Sequence, residues 1–467
     1  MAKKLYVFGI GGTGSRVIKS LIMLLASGAK LDNGFDMVVP IIIDPDTGNG
    51  DLNRTKEILK LYQEIRKNID APSDFFSQEV KTVENLVTNP DGINGDGFQF
   101  LLNGTVGTKF KDFIHYSDLP KEDKLFIDTL YSLDNLESEL DVGFKGNPNM
   151  GSIVLNQFTS SQDFQKFGQS FSPGDGIFII NSIFGGTGAA GFPLLLKSLR
   201  NGANIPNSAQ ITQAPTGCVT YLPYFKLNKG EIDSDTFLEK AKSAIDYYNR
   251  TIINQNQLES LYFLGDVGST SIYENHAGQQ SQKNDAHFLE LAGALAIMDF
   301  CSNAPNLIQG QTQIKEFGIE NDTIPLSFDS LNTVNSHQIK SHLQKFRFFS
   351  EYLTKGLSRA LNVSRWTKKK TQLTKTYFNS PEYKNEIANF ITHFNKWTQE
   401  LENNSPSFSP FDSIIKLNDQ GKQLFKSLDT LNCLEIDKTP VSESKKHNQL
   451  IKLFGSTTQK VIETQKF

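Results

Sequence analysis

Cysteine, tryptophan and methionine are scarce in this 467-residue chain, at three, two and five residues. Cys218, Cys301 and Cys433 lie far apart and form no C-x-x-C pair. That excludes a disulfide framework and reads as buried thiols in a reducing, cytoplasmic setting. An excess of one charge is missing too. Lys and Arg number 47 against 51 Asp and Glu, a formal net charge of −4. No global basic field points to nucleic acid or an anionic membrane. No apolar run reaches the length of a membrane span, and the apolar stretch after Arg16 is too brief for a secretory signal. The seven histidines are scattered without an H-x-x-x-H pair, and neither G-x-S-x-G nor G-x-x-x-x-G-K-[ST] occurs. Histidine-metal, esterase and Walker-type chemistry are therefore set aside. The basic run Lys368-Lys369-Lys370 reads as an exposed helix end or loop in a chain of negative net charge.

What the chain has is glycine at two strand ends. The apolar run Gly176 to Ile180 leads to Gly185-Gly186-Thr187-Gly188, and an apolar, helix-like stretch follows to Leu199. Lys4 to Ile10 likewise leads into Gly11-Gly12-Thr13-Gly14-Ser15, followed by Val17, Ile18, Leu21, Leu24 and Leu25 at helical spacing. Glycine lets backbone N–H groups approach an anion, and a helix start adds a favourable dipole. Gly9, Gly11 and Gly14 alone satisfy the dinucleotide fingerprint G-x-G-x-x-G, which leaves a Rossmann-type dinucleotide enzyme open. A second cluster in the same domain fits a phosphate site built from several loops.

Met37 to Ile43 is almost wholly apolar, as a central parallel strand should be, and ends at Asp44-Pro45-Asp46. Residues 51–67 read as helix and 88–110 as loop. Cys218 to Phe225 and Leu261 to Leu264 read as strands, and Asp235 to Ile253 and Ala286 to Phe300 as helices. This alternation predicts an α/β fold with a Rossmann-like parallel sheet that binds ligands at the carboxyl ends of its strands. Beyond Gln309 the pattern changes. Ile324 to Phe328 is strand-like, long polar helices span Ser336 to Leu361 and Pro381 to Asn403, and Ser405 to Pro410 reads as a linker or tight turn. Residues 411–467 have helical potential and weak patterning.

Gly185 to Gly188 resembles the signature of the tubulin/FtsZ superfamily, and the likeness continues in chain order. Gly9 to Ser15 is similar to the family's first glycine loop. Asp44-Pro45-Asp46 stands where its second loop approaches the ribose and metal. Gly146-Asn147-Pro148-Asn149-Met150-Gly151 is similar to the bacterial loop facing the γ-phosphate. Leu222-Pro223-Tyr224-Phe225 matches a short proline-containing turn, and Asn284-Asp285 resembles the start of the central helix, where an asparagine reads the guanine edge. The likeness covers about residues 4–305.

The resemblance implies a divergent bacterial tubulin-like protein that binds GTP with Mg²⁺, the latter on Asp46 and shared with Asp44 and Asp51. It also implies head-to-tail homopolymer filaments, with slow GTP hydrolysis completed by the next subunit. Nucleotide contacts then fall on Gly11, Gly12, Thr13, Gly14, Ser15, Asp44, Asp46, Gly146, Asn147, Gly185, Gly186, Thr187, Gly188 and Asn284. Gln280 stands where the family has a base-stacking aromatic, leaving Tyr273, His276 or Phe288 as substitutes. The catalytic pattern N-x-D-x-x-D is missing from Cys301 to Gln313, so Asn321 and Asp322 are assigned as a displaced version, with Asp299 as a second choice. A non-hydrolysing nucleotide-binding scaffold therefore stays open. The expected domains are a nucleotide-binding unit (1–280), a central helix (281–305), a smaller activation-like α+β domain (306–403) and a helical tail (404–467). No partner protein or DNA adaptor is named by the sequence.

Overall fold

In the computed structural model the described residues are all except 1, 71, 142, 145, 203–204, 229–235, 267–270, 275–279, 281, 319–325, 329–335, 369–371, 410–418, 439–444 and 466–467. The strands are β1 (Lys3–Ile10), β2 (Phe35–Ile43), β3 (Glu79–Val80), β4 (Gln99–Phe100), β5 (Gly176–Ser182), β6 (Thr216–Tyr221), β7 (Lys226–Leu227), β8 (Ser260–Gly265), β9 (Ile272–Tyr273) and β10 (Gln313–Gly318). Eight of them form one parallel sheet in the order β10-β8-β6-β5-β1-β2-β3, with β4 also pairing β2. β7 and β9 make a separate two-stranded ribbon.

Strand β5 is buried along its whole length, and β1 and β2 nearly so, because helices cover both faces. The helices that position the site are α1 (Gly11–Ala26), α2 (Gly50–Lys67), α3 (Pro148–Leu155), α4 (Gly186–Asn201), α5 (Phe237–Tyr248) and α6 (Phe288–Asn303). Leu5 and Val7 of β1 pack into one core with α1, α2 and α6. Tyr6, Phe8 and Ile10, on the opposite face, pack into a second core with α3 and α4. The chain is thus an α/β protein with a Rossmann-like parallel sheet, followed by a helical C-terminal region.

That region contributes α7 (Ser336–Glu351), α8 (Asn389–Asn403), α9 (Asp419–Lys438) and α10 (Lys446–Gln465). Residues 306–403, read from the sequence as a second domain, supply β10 to the edge of the main sheet and Phe346, Phe390, Phe394 and Trp397 to the same core as α1 and α2. Leu450, Ile451 and Phe454 of α10 join that core, although the tail is weakly patterned. Among the described residues no helix is long and apolar enough to cross a membrane.

Several local expectations need correction. The strand expected to run to Phe225 ends at Tyr221, just before Pro223, which has no N–H to give to a ladder. The helix expected from Asp235 to Ile253 is α-helical over Phe237–Tyr248 and closes as a π-helical turn at Asn249–Ile253. Gln99–Phe100, within the expected loop, pairs β2 at Ile42 and Ile43. Of the stretch read as a linker or tight turn, Ser405 to Ser409 is tied down, since the Leu326 N–H donates to the Ser407 carbonyl (2.8 Å) and Phe408 is fully buried against Phe288.

Trp397 fastens α8 to α1: it is 1% exposed, and its indole N–H donates to Ser20 Oγ at 3.3 Å. Trp397→Ala is expected to lower the unfolding free energy by about 3–5 kcal/mol, measured by urea denaturation. A loss no larger than a surface substitution gives, about 0.5 kcal/mol, would contradict this role for α8.

Candidate functional site

The sheet reverses its winding between β1 and β5, because the chain leaves β1 toward β2 and leaves β5 toward β6. Such a switch point opens a crevice at the carboxyl ends of the two strands. Here α1 begins directly after β1 and α4 begins four residues after β5, so both helix N-termini face that crevice. Neither start carries a side-chain cap or an acidic residue in its first turn, and α3 is likewise uncapped behind Asn147. By contrast Asn49 caps α2 through the N–H groups of Asp51 and Leu52. His287 and Glu290 form a capping box at α6. Three uncapped N-termini thus border one cleft, and each leaves backbone donors and a partial positive charge there.

The three glycine loops also touch one another. A Cβ at Gly11 (φ +72°) would lie 3.4 Å from Thr187 Cβ, in contact with the second loop. One at Gly186 would meet Phe144 Cβ at 2.9 Å and the backbone N atoms of Gly146 and Asn147 at 3.2 Å. A side chain at Gly186 would push the second and third loops apart, and one at Gly11 would be strained by its positive φ. At Gly188 a Cβ would strike the Ser182 backbone at 2.7 Å. Gly12 differs: apart from its own helix backbone, a Cβ there would meet, among the described residues, just Arg16 Nη1 within 4 Å, at 3.5 Å.

The cleft is open to solvent, with a cavity volume of about 150 Å³. Asp44 and Asp46, just beyond β2, line one side. Asp44 Oδ1 accepts the Asp46 N–H (3.1 Å), and Asp46 Oδ1 accepts the Gly48 N–H (3.0 Å). Burial raises the Asp44 pKa to about 7, with the charge of Asp46 adding to the rise. Among the described residues no three His, Cys, Asp or Glu side chains gather into a metal cage. One or two carboxylates beside a phosphate site are instead the donor set that Mg²⁺ takes, with phosphate oxygens and waters completing its shell.

An apolar wall of Phe184, Phe225, Leu227 and Phe237 faces the cleft. The Phe184 ring centroid lies 5.0 Å from that of Phe237 and 5.4 Å from that of Phe225. Amides mark another part of the lining. Asn49 Nδ2 donates to Gln282 Oε1 (2.5 Å), and Asn284 is held through its backbone, which donates to Asp51 and accepts from Arg54. Arg16 forms part of the floor. Its guanidinium donates to Glu290 (2.5 Å), Asp51 (3.2 Å), Tyr224 (2.9 Å) and Thr13 (3.4 Å).

Of the residues singled out from the sequence, Gly11, Gly12, Thr13, Asp44, Asp46, Gly146, Gly185 to Gly188 and Asn284 line this cleft. Gly14, Ser15 and Asn147 stand behind the lining: Gly14 packs on the Gly9 backbone, Ser15 Oγ donates to the Gly11 carbonyl, and Asn147 begins α3. Tyr273 is turned to Asp285 and Asn404, and Phe288 to Phe317 and Phe408, so neither supplies an aromatic face. Asp51 is not a lining residue and lies behind it, bound to Arg16 and Arg54. Asp299 lies eleven residues along α6 from Phe288, paired with Tyr262 and Lys315 away from the cleft. His276, Asn321 and Asp322 lie outside the described residues. Sequence reasoning missed Arg16, Phe225 and Phe237. Arg16 was legible as the residue four after Gly12, hence on the same face of α1.

No family model matches the chain, and no curated protein matches it. Among solved structures it is similar to a helical model of the TubZ-Bt two-stranded filament, at 13% identity over 95% of this chain and 94% of that one, with a TM-score of 0.26. It is also similar to a GTPγS-form protofilament of Bacillus thuringiensis serovar israelensis TubZ, at 12% identity over 94% and 93%, again with a TM-score of 0.26. Overlap at that level leaves the functional reading to the cleft itself.

Folded Asp44 holds its proton more tightly than the unfolded chain, whose carboxyl has the ordinary value of 3.8. Its contribution to stability therefore falls as pH rises from there to about 7. Without added Mg²⁺, Asp44→Asn should be more stable than the parent at pH 8, and the gap should close near pH 4. Thermal unfolding across that range checks this, and parallel pH profiles would refute it.

Proposed function

We propose that this cleft binds the phosphates of a nucleoside triphosphate together with Mg²⁺, and that the chain is a tubulin-like GTP-binding protein assembling head to tail. The observation that carries the proposal is the convergence of three uncapped helix N-termini on one crevice with two carboxylates at its side. Backbone N–H groups of Gly12, Thr13, Gly186 and Thr187, with the Thr187 hydroxyl, are the donors for phosphate oxygens. Asp46, with Asp44, takes the metal, which supplies charge neutralisation between phosphates. Asn284 gives an amide for the edge of a base. Guanine and assembly come from the family resemblance.

Hydrolysis requires a group that orients water against the terminal phosphate. The resemblance assigns it to the next subunit, through Asn321 and Asp322. In that reading assembly completes the active site, and a head-to-tail contact that does not close yields a filament.

Gly12→Val is the clean test of the phosphate cradle, because its side chain enters the cleft without striking backbone, whereas Gly186→Val also breaks loop packing. With Mg²⁺ and GTP the parent should scatter light and show filaments in negative stain. Gly12→Val should remain folded, bind GTP about 100-fold more weakly (about 2.7 kcal/mol), and fail to assemble. Equal GTP affinity in parent and variant would sink the phosphate-loop assignment. Filaments without nucleotide would sink the assembly mechanism.

A further inference from the structure

We propose that Lys240 is the cation that reads the terminal phosphate in this cleft, making binding depend on the number of phosphates; this rests on the nucleotide reading above. Lys240 sits in the first turn of α5, one turn after Phe237, which is buried against Phe184 in the cleft wall. Its ammonium Nζ stands 3.1 Å from where a Cβ at Gly146 would lie. Gly146 lines the cleft with φ +78°, a conformation that suits glycine and leaves room for the lysine head. Among the described residues Lys240 makes no ion pair and no hydrogen bond.

Lys240 stands just behind the lining, against Gly146, and Arg16, the cation among the described lining residues, is already engaged. Arg16 gives its N–H groups to Glu290, Asp51, Tyr224 and Thr13, so its charge is balanced before any ligand arrives. An uncapped helix N-terminus offers only about half a positive charge, and a third phosphate adds a full negative one. The Lys240 ammonium, beside the third loop, supplies the difference.

The row of loops says which phosphate it meets. The first loop touches the second through Gly11 and Thr187, and the second touches the third through Gly186 and Gly146. The amides Asn49, Gln282 and Asn284 cluster with Asp51 and Arg16 at the first-loop end, suited to a base or sugar. A phosphate chain running from that end along the row finishes at Gly146 and Lys240. The ammonium is then one donor in a charge-assisted contact of the kind that outweighs a neutral hydrogen bond.

The test is calorimetric titration of the full-length parent, Lys240→Gln and Lys240→Arg with GTPγS and with GDP, each with Mg²⁺, after thermal unfolding has shown all three folded alike. Lys240→Gln should lose about tenfold in GTPγS affinity, the size of one charged hydrogen bond, and keep its GDP affinity. Lys240→Arg should restore most of the loss. An equal loss for both nucleotides, or no loss, in a parent that binds them would overturn the lysine assignment while leaving the nucleotide site standing. A parent that binds neither would overturn the nucleotide site and the assignment with it.

Discussion

Everything in the cleft depends on one steric constraint: three loops meet where there is no room for a side chain. Gly11 lies against Thr187, and Gly186 against Phe144, Gly146 and Asn147, at separations that a Cβ would fill or violate. That closeness follows from the sheet order, which places β1 beside β5 and so brings the starts of α1 and α4 together. The helix starts are then left without side-chain caps. An uncapped N-terminus costs stability unless water or a ligand accepts its donors. Three at one crevice are a cost that the proposed anion site would offset.

Beneath the cleft lies a buried ionic cluster that ties it to the rest of the molecule. Arg16, Lys19 and Arg54 face Asp51, Glu290 and Glu400, three cations against three carboxylates. Burying such groups is tolerable only when all are paired, and removing one partner strands its counterpart in a medium of low dielectric. The cluster joins α1, α2, the start of α6 and, through Glu400, α8. Glu400 also accepts the Ala286 N–H, just ahead of α6. The floor of the cleft and α8 are therefore one electrostatic unit, and Arg16 is a structural cation.

The sequence carried the sheet and both glycine loops plainly, since buried parallel strands read as apolar runs and glycine marks close backbone approach. It carried less of what long-range packing decides. The edge strand Gln313–Gly318 has only Ile314 and Phe317 as large apolar residues, three apart, and lies past the point where the strand–helix alternation fades. Gln99–Phe100 is too short to show a period. Phe225 and Phe237 come from a strand exit and a helix start, and only the fold brings their rings to one wall. Trp397 and Glu400 sit about 380 residues from their partners Ser20 and Lys19, and no local pattern signals such pairings. The intersubunit pair Asn321 and Asp322 lies outside the described residues, so the hydrolytic part of the account rests on resemblance.

The account's central claim is that phosphate groups dock on the three helix N-termini. The most direct measurement is calorimetric titration of the parent chain with Mg²⁺–GTP, repeated in the presence of excess Mg²⁺–pyrophosphate and alongside NADH. The account predicts one GTP per chain, displaced by pyrophosphate, and no heat with NADH. Binding of NADH alone, or GTP binding that pyrophosphate leaves untouched, would contradict it.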